Sequence, residues 1–375
     1  MRKTRVLQVI YSAGCGGIET WLIHVLKNIN KNQFEIDFLI FSSKDNFYRN
    51  EIYAEGSKIF YCTPPPKVKH FLEFNLILKN NKPYDVIHSH DPLWNGTSSF
   101  IAWLHNVPIR IAHVHNNFLA YDGVNLFKKI YLYINIFLAK YFATRLLVCS
   151  KSSANSYYGN NWRLFSSLSI FYCSEDFSVF KRKVNALKIR NSLKIPKKTV
   201  VIGHVGSFRP IKNHNFIIEI AKEILKKNHS IYWLLIGDGY LLDRLRSEIK
   251  SHPVNSKIIF LGARKDVPFL MKGAMDFFIF PSLQEGLGLS MIEAQASGLS
   301  IFCSNTIPKE ADLIPDLINR ISLKKNASFW ADKILKEIYL TKKKPQEKYL
   351  SIVEKSMYSI GNSINSLESM YKDNP

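Results

Sequence analysis

Glu285 and Glu293, with seven residues between them, lie in Pro281-Ser-Leu-Gln-Glu-Gly-Leu-Gly-Leu-Ser-Met-Ile-Glu-Ala-Gln-Ala-Ser-Gly-Leu299. A carboxylate accepts hydrogen bonds from hydroxyls and repels phosphate, so such a pair suits a ligand rich in vicinal diols. Gly286 and Gly288 let that ligand approach the main chain. An apolar run from Phe277 to Phe280 precedes the loop, and a helical pattern begins near Ser290. Strand, loop and first helical turns together bring backbone N–H groups to a ligand. A lone glutamate at a helix start more often only complements the helix dipole. The glycines and the strand shift the balance toward binding.

A second group is Gly203-His-Val-Gly-Ser-Phe-Arg-Pro-Ile-Lys-Asn-His214. A strand ends at Val205, Gly206 permits a tight turn, and a helix starts near Asn213. Arg209 and Lys212 lie in the turn, where a diphosphate would meet helix N–H groups and fixed positive charge together. No Asp-x-Asp pair occurs in the chain. The charge of a bound diphosphate is then expected to be met by Arg, Lys and backbone dipoles, with no metal. A solvated loop lysine is the plain alternative for Lys212.

The first half offers Gly14-Cys-Gly-Gly-Ile-Glu19 after the strand Val6–Tyr11 and before an amphipathic helix. Gly16 and Gly17 there can turn backbone amides toward a phosphate or an acceptor. Glu19 serves as an acceptor-side candidate or simply as a helix-start acid. Histidines pair at two strand ends: His88 with His90, and His113 with His115. Carboxyl ends of strands face the ligand crevice in open α/β sheets, and alternation puts both members of a pair on one side. A metal site is the weaker reading, because no carboxylate or cysteine joins them at ligand spacing in the sequence.

The Glu285–Glu293 segment resembles the E-x7-E signature of the nucleotide-sugar-dependent retaining glycosyltransferases of family 4 (glycosyl transferases group 1). Ile292-Glu-Ala-Gln-Ala-Ser-Gly-Leu299 and Thr306-Ile-Pro-Lys-Glu310 are similar to its bacterial capsule and exopolysaccharide branch. The similarity runs from about Val6 to Tyr371. It implies an α/β GT-B fold: two Rossmann-like, doubly wound domains facing across a cleft, with a C-terminal helix crossing back to the N-terminal domain. It also implies that Glu293 binds the ribose diol, Glu285 the sugar hydroxyls, and Lys212 with Arg209 the diphosphate. The family's usual Arg follows the glycine directly, where this chain has Ser207, so Arg209 is a candidate replacement. His115 is the implied contact to the transferred sugar, with His113 as alternative and His90 as an acceptor-side candidate. The main chain of Gly206, Gly286, Leu287, Gly288 and Leu289 and the loop at Arg264 would border the donor, with Gly16 and Gly17 opposite.

Bulk properties agree. A chain of 375 residues exceeds what one core usually organises. Short apolar strands alternate with helical stretches: Val6–Tyr11, Phe34–Phe41, Lys58–Tyr61, Val86–His88, Ile109–His113 and Arg145–Val148, then Val200–Val205, Ile231–Ile236, Lys257–Leu261, Asp276–Phe280 and Leu299–Cys303. That pattern argues for two parallel sheets. The expected domains are residues 1–178, 179–355 and a terminal helix in 356–375, whose apolar positions are Met357, Ile360, Ile364, Leu367 and Tyr371. The five cysteines are scattered and read as reduced thiols. No apolar run approaches the roughly 18 residues of a membrane span, and the apolar start is too short for a signal peptide.

Net charge is +21, yet no nucleic-acid-binding motif accompanies it. A cytoplasmic leaflet suits it better, each nearby basic residue being worth about 1 kcal/mol. Residues Leu126–Phe142 are apolar nearly all round, which favours burial; the alternative is a face resting on a bilayer. The expected partners are a nucleotide-diphosphate sugar, with UDP as the favoured carrier, a lipid-pyrophosphate-linked glycan acceptor, the cytoplasmic membrane face and other polysaccharide-assembly enzymes. Location is then cytoplasmic and peripheral to the membrane. Two rivals are a sugar-nucleotide epimerase of the same fold, against which Lys309-Glu310 weighs, and a non-catalytic nucleotide-binding subunit, toward which Ser207 points.

Overall fold

The computed structural model describes residues 2–44, 46–81, 83–115, 126–228, 230–340 and 346–373. The chain divides into two units, Met1–Glu175 with Ile360–Pro375, and Asp176–Ser359.

Among the described residues, the first unit carries a seven-stranded parallel sheet. Its strands are β1 (Thr4–Ile10), β2 (Phe34–Ile40), β3 (Ile59–Tyr61), β4 (Val86–Ser89), β5 (Ile109–Val114), β6 (Arg145–Val148) and β7 (Leu168–Ile170), in the order β3-β2-β1-β4-β5-β6-β7. Leu7, Val9, Leu39, Phe74 and Ile101 pack in one cluster. Val114, Leu132, Leu146, Val148 and Tyr157 form another. Strands buried on both faces read as unbroken apolar runs, which is why they are visible in the sequence.

The second unit has a six-stranded parallel sheet, ordered β10-β9-β8-β11-β12-β13. Its strands are β8 (Val200–Val205), β9 (Ile231–Ile236), β10 (Ile258–Gly262), β11 (Phe277–Phe280), β12 (Ser300–Ser304) and β13 (Ile318–Ile321). The helices His214–Lys227 and Ala327–Leu340 supply Ile217, Ile220, Ile224, Trp330 and Ile334 to its core.

Strands β7 and β13 are absent from the sequence expectation. Both are short and lie at sheet edges, where a half-solvated strand needs no continuous apolar run: Leu-Ser-Ile and Ile-Asn-Arg-Ile. The terminal helix also differs from its expected stripe. It spans Ile360–Lys372 and buries Ile360, Ser363, Leu367 and Tyr371, while Met357 is exposed and precedes it. It packs in the first unit on the helix Gly17–Asn28 and on β1. Glu368 accepts from the Asn30 amide at 2.8 Å.

The expectation that Leu126–Phe142 is buried needs correction. The helix buries only Leu132, Asn135, Ile136 and Ala139, against the helix Asn95–Leu104. Most of its remaining apolar residues face outward: Phe127 is 82% exposed and Tyr141 71%. At the crossing of the two helices the Asn135 carbonyl occupies the space a Cβ on Gly96 would need. Asn135 Oδ1 also accepts from Thr97 N and Oγ1, both at 3.0 Å. Gly96→Ala must push the helices apart, and we expect a loss of about 1–3 kcal/mol in urea unfolding. An unchanged midpoint would show that the helices do not approach this closely.

Candidate functional site

Each sheet reverses its strand order once, between β1 and β4 and between β8 and β11. Ligands of open α/β sheets bind outside the carboxyl ends of strands at such a switch point. In each unit the chemically suggestive loops leave those strands.

In the second unit the loop after β8 and the loop after β11 are tied together. Leu283 N donates to Ile211 O at 2.8 Å, and Asn213 Nδ2 to Pro281 O at 3.1 Å. Across this joint Lys212 Nζ donates to both oxygens of Glu285, at 2.5 and 2.7 Å, and sits 5.3 Å from the centre of the Phe280 ring. The two side chains are 17% and 9% exposed. A pair so withdrawn from water is worth keeping only with good geometry, and removing one partner strands the other's charge. Asn213 takes the left-handed conformation that turns the chain into the helix His214–Lys227. The backbone amides of Gly206 and Gly237 donate to Ile236 O and Gly262 O, each at 2.9 Å, so three neighbouring loops are laced side by side.

Gly288 precedes the helix Leu289–Ala296 with φ of 96°, and a Cβ there would lie 3.2 Å from Phe280. A side chain there would be strained by the conformation and would press on the Phe280 ring. Gly286 and Leu287 are buried, and Leu289 and Glu293 are half-buried in the first turns. Arg209 is exposed and forms no ion pair among the described residues. Arg264 is committed to its own loop. It donates to both oxygens of Asp266 at 2.8 and 2.7 Å and holds that carboxyl below its usual range.

Two histidines that sequence reasoning passed over underlie this site. His204 Nδ1 donates to Ile279 O at 2.9 Å, and His214 stacks on Phe208 with centroids 4.0 Å apart. Burial lowers His204 to about 4 and His214 to about 2, and the Lys212 charge acts in the same direction. Both stay neutral, so Lys212 is not opposed by a second cation. Their place on the buried side of the Gly203–His214 motif was the available signal.

In the first unit Gly16 precedes the helix Gly17–Asn28, and the Glu19 side chain folds back against it. The four expected histidines converge: ring centroids are 4.1 Å apart for His88 and His90 and 3.8 Å for His113 and His115. Trp21 packs edge-on against His88, His90 and His113. His88 Nε2 lies 3.2 Å from His113 Nδ1, and His90 Nδ1 lies 3.0 Å from His115 Nε2. Burial drives all four well below the usual histidine range, His115 to about 3. All are therefore neutral near pH 7.

Spacing in the sequence shows no cysteine with them, but the fold supplies one. Cys173 Sγ is 3.1 Å from His115 Nδ1. His88, His90 and His113, and likewise His113, His115 and Cys173, bring potential ligand atoms within 4.8 Å of one another. Gln8 and Tyr371 also enter the cluster: His90 Nε2 is 2.7 Å from Gln8 Oε1 and His88 Nδ1 is 2.8 Å from Tyr371 OH. Neither was legible as a site residue, since each belongs to an apolar stripe at an end of the chain.

Residues 15–159 match the family Glycosyltransferase Family 4, and residues 185–351 match Glycosyl transferases group 1. The Bacillus subtilis protein designated glycosyltransferase EpsF is 28% identical over 339 residues, 88% of this chain and 87% of its own. An Escherichia coli UDP-Gal:alpha-D-GlcNAc-diphosphoundecaprenol alpha-1,3-galactosyltransferase is 28% identical over 243 residues, 64% of this chain and 62% of its own. Anabaena HepE, solved in complex with UDP, superposes with a TM-score of 0.77 at 16% identity, over 98% of this chain and 99% of its own. With the two parallel α/β units this is the GT-B fold, and the chain belongs to the family 4 glycosyltransferases, the glycosyl transferases group 1.

Proposed function

We propose that this glycosyltransferase moves a sugar from a UDP-sugar to a lipid-pyrophosphate-linked glycan, with retention of anomeric configuration and without a metal ion. The observation that carries the reading is the Lys212–Glu285 pair between the loops after β8 and β11. A cation suited to a diphosphate and a carboxylate suited to sugar hydroxyls are adjacent there, as the two halves of a sugar nucleotide are adjacent. UDP is the carrier named for the E. coli relative and is bound by HepE. The E. coli relative also names a diphosphoundecaprenol-linked acceptor.

In this reading Glu293 holds the ribose diol, Glu285 the sugar hydroxyls, and Lys212 and Arg209 the diphosphate. The main chain of Gly206 and of Gly286 to Leu289 borders the donor. Arg264 presents its loop to the base, its side chain being engaged by Asp266. The C1–O bond breaks toward the β-phosphate, and the acceptor hydroxyl attacks C1 from the same face. Its proton passes to the departing phosphate oxygen, so no enzyme nucleophile is needed. Catalysis is then positioning and charge stabilisation. Gly16, Gly17, Glu19, His90, His113 and His115 serve the acceptor and the transferred sugar.

The acceptor's lipid would bring the protein to the cytoplasmic membrane face. No helix among the described residues is long and apolar enough to cross a membrane. The helix Leu126–Phe142 instead exposes Phe127, Ile130, Tyr133, Ile134, Phe137 and Tyr141, with Lys128, Lys129 and Lys140 beside them. Apolar side chains entering the headgroup boundary beside lysines suit an anionic surface.

Calorimetry with UDP, GDP and ADP in the presence of a chelator tests the donor site. We expect UDP to bind, and Glu293→Ala and Lys212→Ala each to weaken it at least about tenfold, or about 1.4 kcal/mol. Because Lys212→Ala strands the Glu285 charge, Lys212→Ala/Glu285→Gln serves as the control for lost stability. Binding of no nucleotide, or binding indifferent to these changes, would overturn the assignment.

Sedimentation with vesicles tests the surface. Phosphatidylglycerol vesicles should carry down the protein, and phosphatidylcholine vesicles far less. Phe127→Glu/Phe137→Glu should abolish the difference without changing UDP affinity. Equal binding by this variant would place the contact elsewhere.

A further inference from the structure

The buried histidines of the first unit form a hydrogen-bond network whose directions can be worked out. Gln8 Nε2 donates to Tyr371 OH at 2.9 Å, which turns Gln8 Oε1 toward His90. A carbonyl only accepts, so His90 Nε2 carries the proton and, in the neutral ring, His90 Nδ1 accepts. His115 Nε2 must then donate to it across 3.0 Å. His115 Nδ1 is left as an acceptor, and the Cys173 thiol lies 3.1 Å away to donate.

The other limb follows in the same way. Tyr371 OH accepts from Gln8, and His88 Nδ1 at 2.8 Å is its other partner among the described residues, so its one proton goes there. His88 therefore carries its proton on Nε2 and donates to His113 Nδ1 across 3.2 Å. His113 then carries its own proton on Nε2. That atom has no partner of good geometry, although the Phe171 backbone favours a proton on this ring. One reversal is conceivable, a flipped Gln8 amide that would turn every bond around and leave His113 Nε2 as a bare acceptor. The Gln8 amide as it is oriented, with Nε2 on Tyr371 OH and Oε1 on His90 Nε2, gives the first direction.

We propose that Gln8 and Tyr371 are positioning residues that join His88, His90, His113 and His115 into one directed chain, all four in the Nε2–H form, so that the terminal helix determines which nitrogen of His115 bears the proton. The consequence for transfer rests on the reading of His115 as the sugar contact. A thiol is a weak donor, so Nδ1 is the nitrogen of His115 held least firmly. A sugar hydroxyl that replaced the thiol would find an acceptor there, never a donor.

Imidazole nitrogen NMR on histidine-labelled protein tests the chain near neutral pH. The wild type should show the Nε2–H pattern for all four residues. In Tyr371→Phe, three links from His115, and in Gln8→Met, two links away, the amide no longer fixes the polarity. The single form at His115 should then give way to a mixture of tautomers. UDP affinity in the same variants should be unchanged, so a failed donor site and a failed chain are distinguishable. A wild-type pattern of Nδ1–H forms would overturn the assignment. So would a single Nε2–H form at His115 persisting in both folded variants. Uptake of equimolar zinc with loss of these proton signals would do so too, by making the cluster a metal site.

Discussion

Helices that leave β8 and β11, or β1 and β4, cover opposite faces of their sheets, because strand order reverses between them. The carboxyl ends of these strands are where each unit can leave polar groups beside a ligand. Nearly every residue assigned to the chemistry leaves one of these strands or its neighbour. Lys212 follows β8, Glu285 follows β11, Gly16 and Gly17 follow β1, His90 follows β4, and His115 follows β5. The apolar cores on both sheet faces hold the strands; the reversal decides where function can reside.

The two sites handle buried polarity differently. In the second unit a full charge pair is retained, Lys212 with Glu285. A phosphate that draws Lys212 away leaves Glu285 without its cation, a costly state for a carboxylate 9% exposed. Sugar hydroxyls, as donors, can satisfy it. In the proposed reading, nucleotide and sugar would therefore assist each other's binding through this pair. In the first unit burial removes charge altogether. Four neutral imidazoles, an amide, a phenol and a thiol bond to one another, with only His113 Nε2 left over among the described residues of the cluster. A half-satisfied network of this kind would be worse than an apolar core.

The sequence made the architecture and the strand-end placement of most candidate site residues legible for separate physical reasons. Strands covered on both faces must be continuously apolar, so β1, β2, β8, β9 and β11 stand out, whereas the edge strands β7 and β13 do not. Gly288 and Glu285 were legible because a glycine-bearing loop between a strand and a helix gives its carboxylate a ligand to meet. The loop that carries Arg264 follows its strand as expected, but the pairing of Arg264 with Asp266 two residues on is a rotamer preference that no spacing reveals. The helix Leu126–Phe142 misled because apolar residues all round satisfy burial and membrane contact equally. Only the width of the stripe against Gly96 and its neighbours separates them. Cys173 escaped notice because ligand spacing is a property of space, and the sequence distance of 58 residues from His115 conceals it.

The least legible link was the one between chain ends. Gln8 and Tyr371 are 363 residues apart, and each occupies an otherwise apolar stripe where a polar residue invites no special reading. Yet the terminal helix contributes the only phenol that Gln8 Nε2 and His88 Nδ1 share. Without Tyr371 seated, two buried polar groups would lack a partner, at about 1–3 kcal/mol each. That cost falls within the first unit, in the same cluster that holds His115. The helix is therefore tied to this unit by more than the burial of Ile360 and Leu367. Apolar contact would tolerate small slips of the helix along β1, and the shared phenol does not. The last helical turn thus fixes the register of its own packing and the polarity of the histidines through one shared phenol.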